Sequence, residues 1–247
     1  MLMLMMSLGC SDPYAEAQEA DSIAAYEKYL AENPSGAYQL QAKTRLEELM
    51  LEKAQESGDL ADYDAYLERF PDGMKREKVL EERERVMFAW AAETDTPEAW
   101  QKFLDEYPRG DRDRKKEARR RLTVAENKDA FSLGTPEIEQ VNLQNNPDGQ
   151  LDGWQFIVDV TNTGDKPITL LTLGISYLDD AGQVLDTETY PSVGSRYPGR
   201  SWIEDPYKEP LNPGETRAWE YSSGNLPAGW NRAVRVSAVN IAFAEDE

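Results

Sequence analysis

The side chains best suited to binding a ligand lie in one proline-rich segment, TYPSVGSRYPGRSWIEDPYKEP, residues 189–210. It carries four large aromatic rings, at Tyr190, Tyr197, Trp202 and Tyr207. Aromatic rings at the rim of a domain can stack on sugars or clasp a peptide. The same rings could instead fold back over an open sheet edge, which proteins commonly cover. The sequence leaves both interpretations open, a binding loop or an edge cover.

The residues that common catalytic mechanisms require are missing. None of the 247 residues is a histidine, so no Ser-His-Asp triad, Cys-His pair or histidine metal ligand can form. There is no Gly-x-Ser-x-Gly and no phosphate loop ending in Gly-Lys-Ser/Thr. Asp148 and Asp152 could offer oxygens to calcium, but their spacing is not that of an EF-hand and is more typical of a polar loop. We therefore expect a non-catalytic protein with no cofactor and no metal.

The charge of the chain is strongly acidic, with a net value of −20 from 27 basic and 47 acidic residues. Such a surface repels phosphate backbones, so nucleic acid is not an expected partner. One segment differs, RGDRDRKKEARRR at residues 109–121. Its basic patch could meet anionic headgroups or an acidic partner, or could be the solvated face of a helix. The patch consists of Arg112, Lys115, Lys116, Arg119 and Arg120.

The single cysteine, Cys10, follows the apolar run MLMLMMSLG. That run is too short to cross a bilayer, which takes about 20 residues. The sequence Ser7-Leu8-Gly9-Cys10 resembles the lipobox of bacterial lipoproteins. The resemblance implies cleavage before Cys10 and acylation of its thiol, and several acyl chains on one residue anchor a protein stably. We expect residues 1–10 to be a lipoprotein signal remnant and the protein to be membrane-anchored in the cell envelope, at the outer membrane.

A pattern repeats every 37 residues in the first half of the chain: YEKYLAENPSG begins at residue 26, YDAYLERFPDG at 63 and WQKFLDEYPRG at 100. A fixed period between about 20 and 50 residues is typical of stacked repeats. Ser22, Asp59 and Thr96 are predicted to cap the short helix in each copy. The proline of each copy should stop that helix, and the glycine should permit the turn after it.

A second, longer helix is predicted after each turn, because apolar residues recur there with a period of 3.6. Each copy is then a helix hairpin, and stacked hairpins bury faces that none could bury alone. The residues YxxYLxxxPxG followed by AxxxL resemble the tetratricopeptide-like repeats of bacterial envelope proteins, over residues 21–128. We expect the first helix of each hairpin to line a concave surface suited to peptides. The polar residues expected on it include Glu27, Lys28, Asp64, Gln101 and Lys102.

The pattern changes after residue 130, where alternating apolar residues and turn residues replace the 37-residue period. WQFIVDVTN (154–162) and LLTLGISYLDD (170–180) each place apolar residues on one strand face. In AVRVSAVNIAF (233–243) the apolar face changes, which predicts a β-bulge near Ala238. About six to eight short strands without helices between them predict an antiparallel sandwich.

The segments VTNTGDKPI, ISYLDDAGQV and LNPGET resemble the immunoglobulin-like domains of bacterial lipoproteins sometimes called FxLYD domains. The similarity covers about residues 154–243 and implies an Ig-like β-sandwich with no catalytic residues to transfer. The predicted fold class is thus α+β multidomain: TPR-like helical hairpins at residues 11–128, then an Ig-like sandwich at 130–247. The leading functional hypothesis is an envelope lipoprotein that acts as a protein-interaction scaffold. The alternative is a glycan- or peptidoglycan-binding protein that uses the aromatic loop.

Overall fold

A computed structural model describes residues 12–144, 149–196, 201 and 203–244. Within those ranges seven α-helices are followed by two antiparallel β-sheets, which confirms the α+β class. Cys10, Asp148, Tyr197 and Trp202 lie outside the described residues, so what was predicted for them stays a prediction.

From the second helix onwards short helices alternate with longer ones, as predicted for a series of helix hairpins. The helices are α1 (Pro13–Ala20), α2 (Ile23–Glu32), α3 (Gln39–Ser57), α4 (Leu60–Arg69), α5 (Arg76–Thr94), α6 (Pro97–Glu106) and α7 (Arg112–Glu126).

The predicted helix caps are confirmed. The side chains of Ser22, Asp59 and Thr96 accept a first-turn backbone N–H at 3.3, 2.9 and 3.3 Å respectively. Each bond satisfies a donor that has no partner within its helix. The short helices end at Glu32 and Arg69, each two residues before the proline of its copy.

The recurring aromatic residues are core residues. Six of them, two from each copy, are at most 5% exposed: Tyr26, Tyr29, Tyr63, Tyr66, Trp100 and Phe103. These six rings of the repeated motif therefore anchor each short helix to its surroundings and are not available to a ligand.

The glycines that close the first two copies serve a different purpose from the one predicted. Neither Gly36 nor Gly73 is among the glycines with positive φ. A Cβ at Gly36 would lie 2.7 Å from the Tyr29 hydroxyl, and one at Gly73 would lie 2.7 Å from Glu47 Oε1 and 3.0 Å from the Tyr66 hydroxyl. All three distances are below ordinary contact, so the close approach of the tyrosine hydroxyl, joined at Gly73 by the Glu47 carboxylate, favours glycine at these positions.

The strands that follow form two antiparallel sheets. They are β1 (Phe131–Leu133), β2 (Glu137–Val141), β3 (Gly153–Asn162), β4 (Ile168–Leu178), β5 (Val184–Val193), β6 (Thr216–Ser223) and β7 (Ala233–Phe243). In the first sheet β3 is central, with β1 and β2 along one side and β6 on the other. In the second sheet the order is β5-β4-β7.

The two sheets contribute to one hydrophobic core, to which β3 supplies Phe156 and Val158, β4 supplies Leu173, and β6 supplies Trp219. These residues alternate along their strands as the sequence predicted. The predicted bulge is also present: Thr172 and Leu173 of β4 pair with Asn240 and Ala238, so Val239 is unpaired.

The chain forms two compact units, one ending at Trp90 and one beginning at Ala91. We call them the helical unit and the mixed unit; the mixed unit contains α6, α7 and both sheets. The boundary between them falls inside α5, whereas the sequence suggested one at residues 128–130. Whether residues 11–128 and 130–247 each fold alone stays a prediction.

Candidate binding sites

The helical unit contains an open pocket of about 480 Å³, here called the helical pocket. Helices α2 and α3 and the turn between α4 and α5 supply its walls. Its lining includes Leu30, Leu40, Lys43, Arg69, Phe70 and Met74. The apolar side chains among them suit the apolar part of a ligand. Lys43 and Arg69 are placed to contact a polar group of the same ligand.

Two lining residues of the helical pocket are unusually exposed. Leu40 is 75% and Met74 is 74% exposed, the highest values among the large apolar side chains that the structure describes. Isolated exposed apolar residues are common on protein surfaces, but two that line one pocket mark a surface that can still gain from burial.

Glu47 also lines the helical pocket, although its side chain is buried. Its Oε1 accepts a 2.5 Å hydrogen bond from the Tyr66 hydroxyl and a 2.8 Å bond from the Lys75 backbone N–H. Burial raises the pKa of Tyr66, and the hydrogen bond to Glu47 raises it further, so this phenol keeps its proton beyond the pH at which an unfolded tyrosine loses it. The carboxylate thus joins α3 to α4 and to the start of α5.

The mixed unit contains a second pocket of about 410 Å³, here called the tyrosine pocket. It is lined by Gln155, Tyr190, Glu204, Tyr207, Glu220 and Tyr221, together with Ser222. Two of the predicted site residues, Tyr190 and Tyr207, therefore share one pocket. Tyr190 lies in β5, which extends into the segment that the sequence analysis described as a loop.

Tyr207 has the position of an edge cover. It lies in a short 3-10 helix, Asp205–Lys208, and is 5% exposed. Its hydroxyl accepts the backbone N–H of Glu220 at 2.8 Å. Strand β6 pairs only with β3 among the described strands, so this bond satisfies a donor on its open edge.

The predicted basic patch lies along α7, which packs against β7. Arg112, Lys116 and Arg119 are exposed and have i, i+4, i+7 spacing, so they share one helix face. The other two cations make local contacts: Lys115 donates to the Pro108 carbonyl at 2.6 Å, and Arg120 lies 3.4 Å from Glu117.

Sequence reasoning missed Leu40, Met74 and Glu47. One signal was present: 37 residues after Leu40 the next copy has Glu77, and 37 after Met74 it has Asp111. An apolar residue at a position that is charged in the next repeat lies off the core stripe, so it predicts an exposed apolar side chain. The pairing of Glu47 with Tyr66 depends on how two helices pack, and no local pattern predicts it.

Neither a protein-family model nor a curated protein matches the sequence. Among solved structures, one described as the putative ApaA protein from Bordetella pertussis matches 45% of this chain and 89% of its own, with 14% identity and a TM-score of 0.25. The Pseudomonas fluorescens alkylpurine DNA glycosylase AlkC, bound to DNA containing an abasic site analog, matches 89% of this chain and 62% of its own. Identity to AlkC is 9% and the TM-score is 0.35.

The second neighbour requires a correction to the sequence analysis. It is an enzyme bound to DNA, which contradicts the expectations of a non-catalytic chain and of no nucleic-acid partner, and we withdraw both. Those expectations relied on the absence of catalytic motifs and on the net charge of the chain. Neither feature determines which functions a fold supports. The similarity to AlkC is also too distant to assign glycosylase activity or DNA binding to this chain.

No helix in the described part of the chain has the length and apolarity to cross a membrane. Across the same residues, no group of three or more acidic or cysteine side chains is arranged to hold a metal ion. Asp152, a possible oxygen ligand in the sequence, accepts a hydrogen bond from the backbone N–H of Leu143 at 2.6 Å.

Proposed function

We propose that this protein is a lipid-anchored scaffold of the bacterial cell envelope that binds a segment of a partner protein through its helical repeats. In this proposal the hairpins are TPR-like and the two sheets form an Ig-like sandwich. The observation that carries it is the helical pocket, with Leu40 and Met74 exposed beside it.

The expected occupant is an apolar side chain of the partner segment. Covering a leucine- or methionine-sized side chain stabilises a complex by about 1.5–3 kcal/mol before the costs of association. Lys43 and Arg69 line the same pocket and could bind carboxylates or carbonyls that flank the apolar side chain. A peptide with one apolar anchor beside an acidic residue fits both features.

Lipid anchoring is proposed from the lipobox-like run before Cys10. Cys10→Ala should move the protein from the membrane fraction to the soluble fraction. An unchanged distribution, or a mature N-terminus mapped elsewhere by mass spectrometry, would refute the anchor without affecting the helical pocket.

Site-specific photocrosslinking tests the binding proposal. A benzoylphenylalanine at position 40 should form a crosslink to a partner protein in intact cells, because position 40 lies beside the pocket. The matched control is the same probe at position 77, which is also exposed and is one repeat further along the chain. We expect a strong adduct from position 40 and little from 77, and Met74→Lys should reduce the first.

Three results would contradict the binding proposal. Equal crosslinking yields from positions 40 and 77 would show non-specific contact with surrounding molecules. Adducts with the mass of two copies of this chain would show self-association instead. A crosslink at position 40 whose yield Met74→Lys leaves unchanged would show that the partner does not bind in the helical pocket.

A further inference from the structure

The described lining of the tyrosine pocket carries negative charge that no cation among those residues balances. Glu204 and Glu220 are exposed, and no described lining residue is a cation. In the described structure Glu204 makes no side-chain hydrogen bond or ion pair, and Glu220 bonds only to the Gln155 amide, at 2.8 Å. The nearby Arg217 is already paired with Glu215 at 2.7 Å and donates to the Pro210 carbonyl at 3.0 Å.

Two aromatic rings stand beside these carboxylates. The centroids of Tyr190 and Tyr221 are 5.5 Å apart, with their planes inclined at 46°. The face of an aromatic ring is negative, so two tilted rings form a corner that attracts positive charge. Both rings belong to strands, β5 and β6, rather than to a loop.

One ring of the corner, Tyr221, is held in place by a third carboxylate, that of Glu188. Oε2 of Glu188 accepts hydrogen bonds from the Tyr221 hydroxyl at 2.9 Å and from the Tyr177 hydroxyl at 2.6 Å. The Tyr207 hydroxyl is likewise engaged, by the Glu220 N–H. Fixed rings lose little entropy when a ligand binds, which favours a specific site over a general surface attraction.

We propose that the tyrosine pocket binds an organic cation, an alkylammonium group. Its carboxylates and ring faces all favour positive charge, and they disfavour any anionic ligand. A neutral sugar could stack on the rings but would gain nothing from the uncompensated charge. A pocket of about 410 Å³ accommodates an ammonium together with a short alkyl chain, as in a small amine or a lysine side chain.

The test is a titration with n-butylammonium chloride, and n-butanol serves as the neutral probe of the same shape. Binding is followed by the ring signals of Tyr190 and Tyr221 in NMR spectra of the full chain. We expect saturable shifts with n-butylammonium that weaken as salt is raised, because the site is open to solvent. With n-butanol, shifts of the same rings should be absent or at least about tenfold weaker.

The variant Glu204→Gln/Glu220→Gln should weaken n-butylammonium binding about tenfold or more while leaving the fold intact, since both side chains are exposed. The control Glu137→Gln/Glu139→Gln removes two exposed carboxylates of β2 and should leave binding unchanged. A control that weakens binding equally would show a general effect of net charge and would overturn the proposal.

Two further probes decide the source of the cation and test the sugar alternative. Tighter binding of Nα-acetyl-lysine N-methylamide than of n-butylammonium assigns the cation to a lysine of a polypeptide, and the reverse order assigns it to a free amine. Saturable shifts with N,N′-diacetylchitobiose, in the absence of any with n-butylammonium, would overturn the proposal in favour of a glycan site.

Discussion

At the scale of single residues, Tyr29 and Tyr66 occupy the same position in successive repeats but make different contacts. The Tyr66 hydroxyl donates to buried Glu47 at 2.5 Å. The Tyr29 hydroxyl has no hydrogen-bond partner among the described residues, although its ring is 5% exposed. The sequence predicted that both rings lie on the apolar stripe, but nothing in the 37-residue pattern predicted the carboxylate that distinguishes them.

Replacing Tyr66 by Phe should destabilise the protein by about 1.5–3 kcal/mol, because buried Glu47 would lose one of its two hydrogen-bond donors. The matched change Tyr29→Phe removes no hydrogen bond and should cost no more than about 0.5 kcal/mol. Urea unfolding of the two variants measures the difference. Equal losses of stability would show that the Tyr66–Glu47 bond contributes nothing beyond packing.

At the scale of elements, one carboxylate connects the two sheets. Glu188 of β5 accepts from Tyr177 of β4, in the same sheet, and from Tyr221 of β6, in the other sheet. Burial raises the pKa of both phenols, and hydrogen bonding to Glu188 raises it further, to about 12 for Tyr221. Both tyrosines therefore keep their protons in the folded protein at pH values where unfolded tyrosine, with a pKa near 10, has lost its proton.

Because of this difference, the free energy of unfolding depends on pH in the alkaline range. The contribution of Tyr177 is fully present below about pH 10 and decreases above it, by up to about 1.4 kcal/mol per pH unit, because the unfolded state then binds fewer protons. Free energies of unfolding between about pH 9 and 11.5 should fall less steeply for Tyr177→Phe than for the wild type. The change Tyr38→Phe, at a tyrosine that is 43% exposed, is the control. A slope unaltered by Tyr177→Phe would contradict this account.

The elements also show which parts of the fold a sequence can predict. Caps, helix ends and strand faces were predictable because each depends on residues within a few positions, as Asp59 and its bond to the Ala61 N–H illustrate. The bulge at Val239 was predictable for the same reason, since the apolar face changes within one strand. The order β5-β4-β7 and the side-by-side placement of Tyr190 and Tyr221 result from long-range pairing, which no local pattern encodes.

At the scale of the whole molecule, the periodic sequence and the compact units divide the chain differently. The third repeat, with α6 and α7, belongs to the unit that contains the sheets, and α7 packs against β7. A repeat pattern identifies residues that have the same local structure, but it does not indicate which neighbours they pack against. Of the two candidate sites, the tyrosine pocket includes Tyr190 and Tyr207, which the sequence analysis named, whereas the lining of the helical pocket was identified from the structure.

The central claim is that the helical pocket binds an apolar anchor of a partner protein. Calorimetric titration of the crosslinked partner segment, as a synthetic peptide, tests it most directly. Leu40→Ala and Met74→Ala should each weaken binding about tenfold or more, because each removes about 1.4 kcal/mol or more of apolar contact. Both residues are about three-quarters exposed, so the fold should be unaffected. The control Val184→Ala, an exposed apolar residue of the mixed unit, should bind as tightly as the wild type. Wild-type affinity in both pocket variants would contradict the claim.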